Sequence, residues 1–349
     1  MRPGEELDTP RVDEWLKARI ADLYGTPRIT QYSGGASNWT YHLEYESHDL
    51  VLRRPPAGTK ARSAHDMHRE FDIQRALRPA YPWVPEMLAF CDDHAVTGSD
   101  FYVMRRMPGV ILRSRLPKDV TIDAATARAL CLSAIDRLID LHRVDARAVG
   151  LDTLGKGAGY VRRQIEGWAG RYETVRTWNV PSFRAVVTWL RANMPDDVGT
   201  CVIHNDFRLD NLVLDPADLT RVVGVLDWEL ATLGDPLMDL GCSMAYWVQA
   251  SDGRFARALR RQPTDLPGML TRREVVDYYC GRMGFSPANW VFYEVYGAFR
   301  LAGIAQQIYY RYHHKETRNP AFRNFWIWVH WLERRSRKMI ANAGKSRGD

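Results

Sequence analysis

The residues richest in chemistry lie in one short run, His204-Asn205-Asp206-Phe207-Arg208-Leu209-Asp210-Asn211, followed by Asp227 at the end of the apolar pair Val225-Leu226. Within the run, His204, Asp206 and Asn211 form the pattern H-x-D-x-x-x-x-N, which puts a carboxylate and an amide oxygen on a single loop. Asp206 can face a substrate hydroxyl while Asn211 faces a metal ion, and Asp227 adds the negative oxygen ligand that hard Mg²⁺ prefers. Arg208, two residues past Asp206, can reach a transferring phosphate as a cation. His204 is expected to pack and hydrogen-bond, holding the loop rather than moving protons. A carboxylate that orients a hydroxyl, two metal ligands and a cation are what phosphoryl transfer from ATP asks of a protein. Three fixed residue types recur by chance, so the run becomes specific only through its surroundings.

Those surroundings must hold the loop rigidly. Apolar Cys201-Val202-Ile203 leads in, Leu212-Val213-Leu214 leads out, and residues 222–226 return to Asp227, a pattern of strand, loop and hairpin. Upstream, residues 28–32, 39–45, 50–53, 87–91 and 101–107 read as strands, with Ser33-Gly34-Gly35-Ala36-Ser37-Asn38 between the first two and a helix expected over 64–78. Thr9-Pro10 before Val12, Trp15, Leu16, Ile20 and Leu23 predicts an opening helix with Thr9 as its N-cap. After Pro108-Gly109, helical periodicity dominates at Ala124–His142 and again at 182–194, 236–247, 272–283, 290–312 and 321–339, with fraying expected from about Asn342. The expected class is α+β, with a small antiparallel-sheet lobe over residues 1–107 that binds nucleotide and a mainly helical catalytic and substrate lobe over 108–349.

The 349 residues are 46% hydrophobic and 26% charged, values that suit a globular chain with a sizeable core and set global disorder aside. Cys91, Cys131, Cys201, Cys242 and Cys280 are odd in number and never form C-x-x-C, which argues against a disulfide framework or a zinc site and for a reducing compartment. No stretch nears the roughly 18 apolar residues of a transmembrane helix, and residues 1–6 hold no apolar leader core, so a cytoplasmic protein without membrane partners is expected. Residues 240–349 carry 18 Lys and Arg against 8 Asp and Glu, a local +10, whereas residues 1–239 carry 30 against 34. No RNA-binding signature or zinc-finger spacing accompanies that basic stretch, and a solvated surface or a site for an anionic small molecule ranks above a nucleic-acid patch. His65 and His68 fit a helix face, His142 a helix C-terminus, and the aromatic run from Phe322 to Leu332 a packed core or a subunit interface. Arg162, Arg163 and Arg300 are open between an acceptor pocket and the surface.

Together, His204–Asn211 and Val225-Leu226-Asp227-Trp228-Glu229 resemble the aminoglycoside phosphotransferase/choline kinase family, small-molecule enzymes with a protein-kinase-like, two-lobed fold. Gly34-Gly35-Ala36-Ser37-Asn38, Leu52-Arg53-Arg54-Pro55-Pro56, Gly159-Tyr160-Val161-Arg162-Arg163-Gln164 and Phe299-Arg300-Leu301-Ala302-Gly303-Ile304 are similar to the branch that includes the kinase-like domain fused to some acyl-CoA dehydrogenases. The resemblance implies that Gly34, Gly35 and Ser37 cradle phosphates, that Arg53 pairs with Glu70 and bridges phosphate oxygens, and that adenine contacts the backbone around Arg105 and Met107 with Met104 behind it. It also implies that Asp239, in Gly234-Asp235-Pro236-Leu237-Met238-Asp239-Leu240, braces the catalytic loop. Arg53 stands where kinases usually carry lysine, and its planar fork is bulkier than an ammonium. Asp227-Trp228-Glu229 replaces Asp-Phe-Gly and no Ala-Pro-Glu follows, so regulated protein-kinase activity is not expected.

The expected function is therefore transfer of phosphate from ATP, with Mg²⁺, to a hydroxyl of a small molecule. A polycationic aminoglycoside suits the basic segment poorly; an anionic acceptor such as a hydroxyacyl-CoA suits it better. The alternatives are a nucleotide-binding pseudokinase that acts as a regulatory module, an aminoglycoside kinase and, last, a nucleic-acid binder. Oligomeric state is not legible in the sequence.

Overall fold

The computed structural model describes residues 5–32, 38–56 and 66–345, and these form two compact units. The first unit contains the described residues up to Ile111, with Arg147–Leu151 and Asn211–Ala231. Its centre is a five-stranded antiparallel sheet of β1 (Arg28–Gln31), β2 (Trp39–Glu44), β3 (Asp49–Arg54), β4 (Met87–Cys91) and β5 (Phe101–Arg105), in the order β1-β2-β3-β5-β4. Because side chains alternate across a strand, β3 sends Leu50 and Leu52 into the core that holds Trp15 and Leu16 of α1 (Thr9–Lys17). Val51 goes instead to the cluster with Met67 and Phe71 of α2 (Met67–Leu77). A single turn, α3 (His94–Thr97), lies between β4 and β5 in the chain. Residue 53 shares the parity of 51, so the arginine of this strand that looks toward α2 is Arg53. Arg54 turns to the other face, where the carbonyls of Thr97, Glu5 and Glu6 accept its hydrogen bonds at 2.7, 3.1 and 3.1 Å.

The chain re-enters this unit as the hairpin β7 (Leu212–Leu214) and β8 (Val222–Val225). Val110 and Leu214 exchange backbone hydrogen bonds of 2.9 and 2.8 Å, tying the segment after β5 to the hairpin. A Cβ on Gly224 would lie 2.5 Å from the Met107 sulfur, so only glycine lets the two come this close.

The second unit takes the remaining chain. A short strand pair, β6 (Cys201–Ile203) with β9 (Thr232–Gly234), sits among α4 (Ala124–His142), α5 (Tyr160–Val175), α6 (Arg184–Ala192), α7 (Pro236–Ala245), α8 (Arg254–Ala258), α9 (Arg272–Met283), α10 (Trp290–His313) and α11 (Phe325–Lys345). α10 is buried over most of its length and packs against α5, α6, α7 and α11. It meets α7 backbone to backbone: a Cβ on Gly297 would lie 2.1 Å from the Gly241 carbonyl oxygen. Helix propensity alone would favour Gly297→Ala by about 1 kcal/mol. Here the overlap reverses the sign, and a loss of about 1–3 kcal/mol is expected from the shift in urea midpoint.

Several expected boundaries move for local reasons. The side chain of Asp8, not Thr9, caps α1 by accepting from the Arg11 amide at 3.2 Å, which leaves Thr9 inside the helix. Asp66 caps α2 in the same way, and that helix opens at Met67; residue 64, its expected start, lies outside the described residues. The periodicity gave no sign of α5, whose N-cap is Gly159 without a side-chain bond and whose body contains Gly167 and Gly170. The last helix opens at Phe325, after a single 3₁₀ turn at Pro320–Phe322, and continues through Lys345 rather than fraying from Asn342. Its Val329 and Leu332 are fully buried, so core packing accounts for that side of the aromatic run. All five cysteines are buried thiols, and no helix among the described residues is long and apolar enough to cross a membrane.

Candidate active site

In the first unit, a cluster of charge gathers on the α2 side of the sheet. The Arg53 guanidinium lies 3.1 Å from a Glu70 oxygen, 3.3 Å from Asp227 and 3.9 Å from Glu229. Glu70 is almost wholly buried on the first turn of α2, and burial raises its pKa against the pull of Arg53. Burial alone would lower the pKa of Arg53, but Glu70, Tyr102, Asp227 and Glu229 outweigh it and hold the guanidinium charged. Glu229, which the sequence did not single out, also accepts from the Asn38 amide at 3.4 Å. Arg69 donates to the carbonyls of Glu229 and Ala231, fastening the segment after Asp227 to α2.

Asn211 and Asp227 flank the β7–β8 hairpin, and the Leu226 amide donates to the Asn211 carbonyl at 2.8 Å. Asp227 adopts a left-handed backbone, φ 70°, ψ 65°, a conformation that costs energy for a non-glycine residue and that aspartate tolerates better than most. One carboxylate and one amide oxygen form the hard donor set with which Mg²⁺ is held alongside phosphate oxygens, so these residues fit that ion. No group of three or more His, Cys, Asp or Glu among the described residues forms an all-protein metal cage.

Along the strand β5, Met104 is buried beside Val51 and Tyr102, while Arg105 is exposed and paired with Glu86 at 2.7 Å. The Arg105 and Arg106 amides donate to the Glu86 and Asp49 carbonyls, both at 2.9 Å. The Met107 amide donates to no backbone carbonyl among the described residues. Gly34, Gly35 and Ser37 lie outside the described residues, as does His65.

In the second unit, the loop of Asp206 is built around a buried carboxylate. Asp239, on α7, accepts from the His204 amide at 2.8 Å and the Asn205 amide at 2.7 Å, and its Oδ2 lies 3.0 Å from His142 Nε2. His142 Nδ1 meets the Tyr279 hydroxyl at 2.5 Å. The tautomer that serves both contacts donates from Nε2 to Asp239 and accepts at Nδ1. Burial would raise the Asp239 pKa, but His142, His204 and the loop amides hold it below the ordinary value. The expected bracing role of Asp239 is thus visible as hydrogen bonds. His142 is revealed as its partner, a role that periodicity alone could not disclose.

The bracing imposes φ 64° on Asn205, whose side-chain oxygen accepts from Tyr160 at 3.2 Å. His204 is fully buried, and its Nδ1 accepts from the Asp206 amide at 3.2 Å, the supporting part expected of it. Arg208 is 3.0 Å from Asp210 and 3.5 Å from Asp206, and it stacks over Tyr246 with Cζ 4.6 Å from the ring centroid. Gln262 receives the Leu209 amide at 2.7 Å and closes the loop. Arg300, left open between pocket and surface by the sequence, is buried on α10.

Comparison with known proteins bears on the fold and the family. Residues 28–275 match the model of the phosphotransferase enzyme family APH. Acyl-CoA dehydrogenase family member 11 of Rattus norvegicus is 38% identical over 319 residues, which is 89% of this chain but only 40% of that protein. A Ralstonia eutropha protein provisionally described as an aminoglycoside phosphotransferase is 28% identical and superimposes with a TM-score of 0.82 over 97% of this chain and 99% of its own. Choline kinase from Cryptosporidium parvum, at 12% identity, shares the fold, with a TM-score of 0.63 over 97% of each chain. The α+β architecture is that of the kinase-like phosphotransferases, and the chain belongs to the APH phosphotransferase enzyme family.

Proposed function

We propose that the protein transfers the γ-phosphate of ATP, with Mg²⁺, to a hydroxyl of a small molecule. The observation that carries this reading is the cluster of Arg53, Glu70 and Asp227, a buried cation held charged beside a carboxylate suited to a metal. Asn211 and Asp227 would hold the ion, which would supply positive charge against the negative charge that develops during transfer. Arg53, fixed by Glu70, contributes a second positive charge to the phosphates. Asp206 accepts a hydrogen bond from the acceptor hydroxyl and aligns its oxygen with the γ-phosphorus. As the new O–P bond forms, the bond from phosphorus to the ADP oxygen breaks and the hydroxyl proton passes to Asp206.

The acceptor is read as anionic, because residues 240–349 carry a net +10, a charge that repels a polycation. A hydroxyacyl-CoA is a candidate in keeping with the names of the relatives. A second reading, a nucleotide-binding module without turnover, is favoured by one observation: Arg53 stands in place of lysine and engages Asp227 directly. Incubation with Mg-ATP and a panel of hydroxylated acceptors, read by mass gain, separates the two. Phosphorylated product that disappears with EDTA supports transfer, whereas bound nucleotide without any product overturns it.

Arg53→Lys offers a finer test. A lysine reaches Glu70 as a point charge but loses the fork that spans Glu70 and Asp227. ATP affinity is expected to fall by about tenfold or less in calorimetric titration, and Arg53→Met by about ten- to a hundredfold.

A further inference from the structure

Two arginines of the second unit address one indole. The guanidinium carbons of Arg171 and Arg300 lie 4.2 and 5.6 Å from the Trp168 ring centroid. Tyr160, Gln164, Trp168 and Arg171 recur on one side of α5, opposite Tyr296, Arg300 and Gly303 at helical spacing on α10. A Cβ on Gly303 would lie 2.8 Å from a ring carbon of Trp168, so the glycine is what lets the indole settle against α10.

Arg300 is 5% exposed, yet among the described residues neither it nor Arg171 has a carboxylate within ion-pair distance. Of the other deeply placed arginines, Arg53 has Glu70, Arg272 has Asp252 and Arg335 has Glu294, while Arg54 is held by the carbonyls of Thr97, Glu5 and Glu6. A guanidinium buried without an anion is costly, and packing α5 on α10 does not require one. The ionisable groups whose charge bears on Arg300 are Cys242, Tyr296 and Tyr246, neutral at ordinary pH, and then Asp206. Arg171 is itself set against the like charge of Arg300. Two cations thus flank Trp168, Arg171 exposed and Arg300 buried, and the charge of Asp206 bears on Arg300.

We propose that Arg300 and Arg171, framed by Trp168, form the subsite that binds an anionic group, carboxylate or phosphate, of the acceptor whose hydroxyl Asp206 orients. An anion there supplies the missing counter-charge and separates hydroxy acids and their phosphate-bearing thioesters from neutral alcohols. Only the link to the hydroxyl rests on the phosphotransferase reading; anion binding itself does not need turnover.

The test is calorimetric binding without nucleotide, using 3-hydroxybutyrate, 3-hydroxybutyryl-CoA and the neutral 1,3-butanediol. Wild-type protein is expected to bind at least one anionic probe about tenfold or more tightly than the diol, and Arg300→Met and Arg171→Met are each expected to erase most of that margin. Preference for the free acid identifies a carboxylate as the ligand, and binding of the thioester alone identifies phosphate. Arg171 is exposed, so its variant keeps the test valid if loss of the buried Arg300 impairs folding, which a thermal melt would show. Failure of wild type to bind either anion, or a margin unchanged in a folded variant, overturns the inference. Anion binding without product in the acceptor panel overturns the phosphotransferase reading and leaves the subsite standing; product with no preference for anions does the reverse.

Discussion

Asp206→Asn is expected to lower the turnover number for phosphoryl transfer by about 100- to 10,000-fold, the range that a positioned general base contributes. The substitution keeps the shape of the side chain but removes its negative charge and its ability to take a proton. Asp239 fixes the backbone at His204 and Asn205, and His204 Nδ1 receives the Asp206 amide, so the loop keeps its course without the Asp206 carboxylate. Arg208 keeps its 3.0 Å contact with Asp210. Nucleotide affinity, assigned to residues of the other unit, is expected to stay within about threefold, and steady-state kinetics beside ADP titration would separate the two effects.

Asp239→Ala should have the largest effect on stability, about 3–5 kcal/mol, as when one partner of a buried polar pair is removed. Three donors lose their acceptor at once: two loop amides at 2.8 and 2.7 Å and His142 Nε2 at 3.0 Å. Asn205 is left in a left-handed conformation with one brace fewer. Urea unfolding measures the loss, and activity should fall with it because Asp206 follows directly. The pH dependence has a definite sign. The folded-state pKa of Asp239 is depressed, so its contribution is complete above the unfolded carboxylate pKa and disappears as pH falls through the lower folded value. Asp239→Asn should therefore flatten the acid limb of a plot of stability against pH.

The sheet lobe was legible because strand patterning is a short-range signal: each of its five strands lies within two residues of its expected bounds, and Tyr41, Leu43 and Tyr45 alternate along β2 and just past it. The helical lobe was less so. α5 buries Tyr160, Val161, Ile165, Ala169 and Tyr172, but two glycines and a capless start hide it from propensity. β9 is only three residues long and exists because β6 pairs with it.

At the candidate site, the residues that touch substrate in most readings of such a motif stood out by type and spacing. Their supports did not, since Glu229 and His142 become visible only when distant segments meet. His142 and Asp239 are 97 positions apart, and nothing in the run Leu141-His142-Arg143 announces a buried hydrogen bond. Arg53 and Arg54 are adjacent and chemically identical, and strand parity is what divides them: one for α2 and Glu70, the other for carbonyls on the opposite face.

The central claim is that this chain moves phosphate rather than only holding nucleotide. Wild type and Asp206→Ala, incubated side by side with Mg-ATP and a mixture of hydroxylated acids and thioesters, give the most direct measurement, with products read by mass spectrometry and ADP binding by calorimetry. Phosphorylated acceptor from wild type, none from Asp206→Ala and equal ADP affinity in both are the predicted result. Equal ADP affinity with no product from either, or equal product from both, would contradict it.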